Sequence, residues 1–327
     1  MEFRTQIELP DNIPSLNPSD QTLFIGSCFA ENIGSEMAAR KFSCAVNPFG
    51  VLYNPASIRL CFQELNGEIT PEKFLFESDQ GWHSWLHDSS FCGHSRIACL
   101  NNLQNRLEDT CRLLQQAHTL FLTLGTNRAY RLKEQQLIVG NCHKQPGRLF
   151  EEITLDIQRC KEELETIIAL CHQKNPGLHI VFTISPYRYA KYGFHGSQLS
   201  KATLLLAADE VCRAHPESCF YFPAYEIVLD ELRDYRFYKE DMLHPSPQTV
   251  AYIWECFQKT FFTSKTKEFV KEWESVKRAL EHRPTHPDSK AYQDFLSKTL
   301  LKLESIQKKY PNLALNYEFD WLSSRLK

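Results

Sequence analysis

A cysteine, a histidine and an aspartate have the types and spacing to do nucleophilic chemistry together. Cys28 lies in Gly26-Ser27-Cys28-Phe29-Ala30, directly after an apolar strand-like run and before a helical pattern. In that strand–turn–helix setting hydrolases expose a nucleophile. A helix N-terminus offers unpaired N–H groups and positive potential, which lower a thiol's pKa, and the thiolate is the reactive form. Cys28 is therefore expected to ionise readily. The plainer reading is one more buried thiol, and Ser27 is the neighbouring hydroxyl, turned away if Cys28 faces the site. Asp241-Met-Leu-His244-Pro245 precedes a late helix. An Asp three residues before a His can share one side of a turn, accept the Nδ1–H and leave the other ring nitrogen for the nucleophile. Taken alone, the pair also fits a capping Asp beside a surface His. Gly125-Thr126-Asn127 follows a strand, with a glycine for the tight turn and an amide able to donate to an oxyanion. Asn47-Pro48-Phe49-Gly50 follows another, where the Gly50 N–H can approach a substrate. Each is also an ordinary turn. Their convergence at strand ends is what acyl chemistry requires.

The elements that must position these residues alternate. Thr22–Gly26, Ser43–Asn47, His118–Leu124, Leu178–Ile184 and Cys219–Phe222 read as strands. The nearly continuous apolar runs suit strands buried on both faces, as in parallel sheets. Helical patterns occupy Ala30–Lys41, a segment opened by Asn54-Pro55, Asn102–Ala117, Phe150–Gln173, Gln198–His215 and Gln248–Phe262. Asn at an N-cap followed by Pro is a helix start. Such alternation predicts an α/β fold, a parallel sheet of five strands covered by helices on both faces, with ligands at the carboxyl ends of the strands. Gly67–Leu100, with Trp82, Trp85, His83, His87 and His94, reads as an insertion over the sheet. Beyond Thr263 the chain becomes charged and helical, with Lys265–Arg278 and Lys290–Lys309 as a helical pair. The expected organisation is a domain over 1–262, with the insertion at about 67–100, and a C-terminal helical extension over 263–327.

Bulk composition narrows the function classes. The 327 residues are 43% apolar and 24% charged, with a formal net charge of -3. That charge gives no reason to expect a nucleic-acid partner. No run of about 18 apolar residues suggests a membrane span, and the N-terminus lacks the basic and apolar regions of a signal peptide. The twelve cysteines include no Cys-x2-Cys pair and mostly sit in apolar-periodic segments. They read as reduced, buried thiols of a cytoplasmic protein. No Gly-x-Gly-x2-Gly and no phosphate-binding loop occurs, so no cofactor is expected.

Four of these pieces resemble the blocks of the SGNH (GDSL-type) hydrolases, and Phe24-Ile-Gly-Ser-Cys-Phe-Ala30 more specifically resembles the GSCFA family of that clan. Further resemblances are Asn47-Pro-Phe-Gly-Val-Leu-Tyr-Asn-Pro55, Gly125-Thr-Asn127, Asn141-Cys-His-Lys144, Thr183-Ile-Ser-Pro186 and Tyr235-Arg-Phe-Tyr238 through Asp241-Met-Leu-His-Pro245. The likeness spans roughly residues 1 to 262. It implies a three-layer α/β/α, SGNH-hydrolase-like (flavodoxin-like) fold. It puts Cys28 at the clan's serine and Ser27 at its aspartate. It gives Gly50, Asn127 and the Cys28 N–H the oxyanion-hole roles, and Asp241 and His244 the dyad roles. Two departures stand out. Cysteine in place of serine implies thioester intermediates, and Arg128 in place of the aspartate after the block Asn implies other bonds to orient Asn127.

Ser27, Trp82, His83, His143 and Arg188 are further candidates to line a substrate pocket. Core packing for the tryptophan and a solvated loop for Arg188 and Lys191 are the plainer readings. Cys142 and His143 lack a recognised metal-ligand spacing, so no metal is expected. The expected function is a cysteine-dependent acyl hydrolase acting on a small-molecule ester or thioester. An acyltransferase using the same residues to acylate a sugar, lipid or amino acceptor is the alternative, and a non-catalytic binding module of the same fold is a third.

Overall fold

The alternation resolves, in a computed structural model describing residues 4–326, into a parallel sheet with helices on both faces. The chain runs β1 (Thr22–Gly26), α1 (Cys28–Ala39), β2 (Cys44–Val46), α2 (Pro55–Leu65), β3 (Leu75–Ser78), β4 (Gly81–Ser84) and α3 (Arg96–Gln116). It continues through β5 (Thr119–Leu124), β6 (Arg128–Leu132), β7 (Leu137–Val139), β8 (Phe150–Thr154), α4 (Ile157–Lys174), β9 (His179–Ile184) and α5 (Gly193–Ala214). It closes with β10 (Cys219–Tyr221), α6 (Ala224–Glu226), α7 (Pro247–Phe261), α8 (Ser264–Glu281), α9 (Lys290–Lys309) and α10 (Asn316–Ser323).

The main sheet has five strands in the order β10-β9-β5-β1-β2, all parallel. Register aligns Gly26 with Thr123 and Thr123 with Thr183, so β1, β5 and β9 end at one edge. Period-2 alternation divides the apolar side chains between two cores. Leu23, Ile25, Leu120, Leu122, Ile180 and Phe182 face the core shared with α2, α4 and α5. Phe24, Phe121 and Val181 face the core shared with α1 and α7, where Phe24 and Phe121 stack at 4.6 Å. The fold is therefore a three-layer α/β/α arrangement.

The C-terminal helices continue the second core. Phe269, Trp273 and Val276 of α8 and Leu296 and Leu303 of α9 are buried in it. The Trp273 Nε1–H donates to Ala39 O at 2.9 Å, fastening α8 to the end of α1. No helix among the described residues is long and apolar enough to cross a membrane.

Two small antiparallel sheets lie beside the main one. The Trp- and His-rich insertion contains the β3–β4 hairpin, and β7-β6-β8 forms a three-stranded sheet. Trp85, Leu132, Val139 and Phe150 pack the two together. This corrects the helix expected to begin at Phe150. Phe150–Thr154 pairs with β6 instead, and the helix starts only after Asp156, whose carboxylate caps it by accepting the Arg159 N–H at 2.7 Å. Phe150 and Ile153 satisfy a helical spacing by chance, and the non-local partner strand decides. Asn54 caps α2 as its sequence predicts, accepting the Ser57 N–H at 2.9 Å.

Candidate active site

β1 ends on Gly26, and Ser27 turns the chain into α1. Gly26 has φ +132°, and a Cβ there would lie 2.1 Å from the Thr123 carbonyl oxygen, so the close approach of β1 and β5 requires glycine. Ser27 is the buried N-cap: its Oγ accepts the Phe29 N–H at 3.3 Å, and its own N–H donates to Thr123 O at 3.0 Å. Its hydroxyl serves the helix end rather than a substrate. Cys28 is the first residue of α1 and half-buried, with its own N–H turned toward its sulfur. Burial, and after it the Glu31 charge, pushes the thiol above its ordinary value. The Cys28 N–H, Lys201 and Lys239 pull the other way and lose. This corrects the expectation of a readily ionised thiol, because desolvation of the sulfur outweighs the helix end. Cys28 therefore needs a base at the moment it attacks.

Asp241 and His244 form the pair their spacing predicts. Met242 between them adopts a left-handed φ of 57°, which tightens the turn. Asp241 Oδ1 accepts the N–H groups of Leu243 (2.8 Å) and His244 (3.0 Å), and Oδ2 lies 2.5 Å from His244 Nδ1. The His244 backbone N–H, the His244 ring and the Leu243 N–H hold the Asp241 carboxyl well below the usual carboxylate range. An ionised Asp241 keeps a proton on Nδ1 and leaves Nε2 free to accept one.

Tyr187 links this pair to the cysteine. Its ring centre lies 4.4 Å from that of His244. Its hydroxyl pKa is raised by burial and by the charges of Cys28 and Asp241, so it neighbours both. Tyr189 packs edge-on against Tyr187 at 4.7 Å and Tyr53 at 6.5 Å, and both Tyr53 and Tyr189 also feel the Cys28 charge. The nucleophile candidate, the Asp–His pair and three tyrosines thus share one wall. Comparison with family models agrees with these strand-end motifs: the GSCFA family model matches residues 21–257, and the model described as GSCFA domain protein, C-terminal domain, matches residues 273–327.

The chain belongs to the GSCFA family.

Among solved structures, a Streptococcus pneumonia protein provisionally described as a platelet activating factor matches at 13% identity and a TM-score of 0.37, over 77% of this chain and 84% of that one. An acetyl xylan esterase from the rumen bacterium Butyrivibrio proteoclasticus matches at 11% identity and a TM-score of 0.33, over 76% of this chain and 66% of that one. Comparison with curated proteins gives no match.

The other expected site residues of this GSCFA chain divide into those at the strand ends and those elsewhere. The Gly50 N–H donates to Asn47 O at 2.8 Å, and a Cβ at Gly50 would lie 2.1 Å from Asp88 Cγ. Gly50 thus closes a turn and makes room for Asp88, and its N–H is already committed. Asn127 is buried at the end of β5. Its amide donates to Leu155 O at 2.7 Å, leaving one amide hydrogen, and its backbone N–H donates to Ser200 Oγ at 2.9 Å. Leu155 and Ser200 therefore take over the orientation of Asn127, while Arg128 stacks over the Tyr192 ring at 4.5 Å. Arg188 lies near the dyad but works on its loop, donating from its guanidinium to Met242 O at 2.9 Å and from its N–H to Leu243 O at 3.1 Å. Lys191 pairs with Glu152 at 2.8 Å on the surface. His83 and His143 stand together against Phe76 of the hairpin, and Trp82 packs on a different group. Trp82 packs on Phe91 and Leu103, His83 bonds Ser78 Oγ at 2.9 Å, and His143 bonds Ser84 O at 2.8 Å.

Sequence reasoning misses two groups. Asn47 accepts the Gly26 N–H through Oδ1 at 2.9 Å, and its buried Nδ2 has no hydrogen-bond partner among the described residues. It is an amide donor at the end of β2. Lys201 on α5 is fully buried, and its Nζ donates to Gly125 O at 2.6 Å and Ser185 O at 2.7 Å, bracing the ends of β5 and β9. Burial brings its pKa down to about 7, opposed by the Cys28 charge. A signal for it exists: Lys201 stands in helical register with Ser197, Leu204, Ala208 and Val211, the buried stripe of α5.

Proposed function

We propose that this GSCFA chain is a cysteine-dependent acyl hydrolase that forms a covalent acyl-enzyme on Cys28. The observation that carries the reading is the Asp241–His244 pair packed on Tyr187, a residue within electrostatic range of Cys28 at the strand ends. His244 Nε2 takes the Cys28 proton as Sγ attacks the substrate carbonyl. The tetrahedral oxyanion collapses, the ester oxygen leaves with the proton returned by His244, and a thioester remains on Cys28. Water, deprotonated by His244, then attacks the thioester and regenerates the thiol. Asp241 holds the imidazole's orientation and offsets its charge. The Cys28 N–H and the amides of Asn127 and Asn47 are the assigned oxyanion donors, and Gly50 shapes the turn beside them.

Hydrolysis is favoured over transfer by the openness of the dyad. The side chains of His244 and Asp241 are 40% and 42% exposed, so water reaches the deacylation step. A cavity of 210 Å³ lined by Arg188, Gln198, Tyr235 and Tyr238 adjoins the His244 loop. Neither Cys28 nor His244 lines it, so it is a side pocket behind the loop and sets no limit on the acyl group. Turnover of short-chain aryl esters by wild type and by Cys28→Ala tests the proposal. A loss of about 10³-fold or more in kcat/KM is expected for Cys28→Ala, and equal rates would remove Cys28 from the mechanism.

A further inference from the structure

Away from the candidate active site, one set of metal-ligating side chains is closed off from solvent. Cys61 and Glu64 stand three residues apart on one face of α2, and His87 arrives from the turn after β4. The ligand atoms of all three lie within 4.8 Å of one another, and all three residues are buried. His87 Nε2 is 3.1 Å from Glu64 Oε2, but out of line for a hydrogen bond, and neither Glu64 carboxylate oxygen has a hydrogen-bond partner among the described residues. A buried carboxylate left in that condition is costly unless a cation meets it.

We infer that Cys61, Glu64 and His87 bind a divalent transition-metal ion of the zinc type. Sulfur, imidazole and carboxylate donors together select such an ion over magnesium or calcium, which take oxygen ligands. The charges balance, since a thiolate and a carboxylate neutralise a dication while the imidazole stays neutral. The imidazole is already oriented to ligate, because Ser84 Oγ engages Nδ1 at 3.0 Å and leaves Nε2 for the metal. Burial and the Glu64 charge hold the free Cys61 thiol well above its ordinary pKa. Binding therefore breaks the Cys61 S–H bond, forms a metal–sulfur bond and releases one proton to solvent, with no change of oxidation state. Leu86 O, 3.9 Å from Cys61 Sγ, is the nearby oxygen able to complete the shell.

The site has a structural consequence for the strand-end turn. Asp88 directly follows His87, its Oδ2 accepts the Val51 N–H at 3.3 Å, and its carboxylate fills the space that Gly50 leaves. A metal at His87 would thus fasten α2 to the support of the Asn47–Gly50 turn. No cysteine or histidine spacing in the sequence announces this set, because the fold alone brings His87 to α2. The inference does not depend on the acyl-hydrolase proposal.

The test is the zinc content of the full chain, purified untagged and without chelator, by plasma mass spectrometry. About one equivalent is expected, with a thermal midpoint that falls on chelation and returns on adding zinc. Folded Cys61→Ser and Glu64→Gln variants should lose the metal, whereas Cys212→Ser, altered at a cysteine outside the set, should keep it. If neither variant folds, X-ray absorption of the wild-type zinc decides, with one sulfur among nitrogen and oxygen neighbours expected. Metal-free wild type whose midpoint ignores zinc, full metal retention in folded Cys61→Ser, or a shell with no sulfur or several would overturn the inference. The first of these outcomes is what a plain buried His–Glu pair beside a thiol predicts.

Discussion

Replacing Lys201 by methionine isolates a pH dependence that the fold itself creates. The lysine is fully buried, lies within electrostatic range of Cys28 on α1, stands 5.3 Å from the Tyr189 ring centre and 5.9 Å from that of Tyr225, and has no carboxylate partner among the described residues. Its pKa falls from 10.5 to about 7 on folding. Between these values the unfolded chain binds more protons than the folded one, so the lysine's contribution to stability improves as pH rises and is worst at and below pH 7. Each pH unit inside the window is worth about 1.4 kcal/mol, less near the folded pKa, where half the lysine is already neutral. From pH 7 to pH 9 the stability of the lysine form should rise by about 2 kcal/mol relative to the methionine form, which does not titrate there. The assay is urea unfolding of both forms at neutral and alkaline pH, in a Cys28→Ala background so that the neighbouring thiol does not titrate alongside. A difference between the two proteins that stays constant, or shrinks, with rising pH would refute the reasoning.

Other perturbations follow from the same geometry. Asp241→Asn should lower kcat by about 10²- to 10⁴-fold while leaving the unfolding midpoint nearly unchanged, because the carboxylate serves the imidazole and not the core; an unchanged kcat would remove the dyad. Cys28 alkylation by iodoacetamide, followed by peptide mass, should keep rising with pH beyond the ordinary thiol range, since burial raises this thiol; a plateau below that range would contradict it. Gly26→Ala places a methyl 2.1 Å from Thr123 O at φ +132° and should cost about 2–4 kcal/mol in urea unfolding. Trp273→Ala should cost about 3–5 kcal/mol, measured the same way, if the C-terminal helices are part of the second core and not a loose appendage.

What can be read from the sequence depends on how local its cause is. The three inner strands of the sheet announce themselves because both faces are buried, which leaves runs such as Thr119–Leu124 largely apolar, whereas the edge strands β2 and β10 are only partly buried. The Asp241–His244 pair is legible because both residues lie within one turn. Strand β8 is not, because Phe150–Thr154 becomes a strand only through β6, and its exposed outer residues carry no strong alternation. The commitments of Gly50 and Asn127 are hidden for a similar reason. Asp88, Leu155 and Ser200, which fix them, come from segments whose proximity only the fold creates. The thiol's raised pKa escapes a sequence reading because the helix end is visible there and burial of one sulfur is not. Lys201 is the clue that the sequence does hold, a charge set in the buried stripe of α5.

The most direct test of the central claim is the mass of the Cys28 peptide after rapid quenching of a reaction with an aryl acetate. Wild type is used, quenched within the first turnovers, because Cys28 depends on His244 to lose its proton and a His244 variant would not acylate. One acetyl group is predicted on Cys28 as a hydroxylamine-labile thioester, absent from Cys28→Ala. Ester turnover with Cys28 unmodified, or acetyl found on another residue at the catalytic rate, would contradict it.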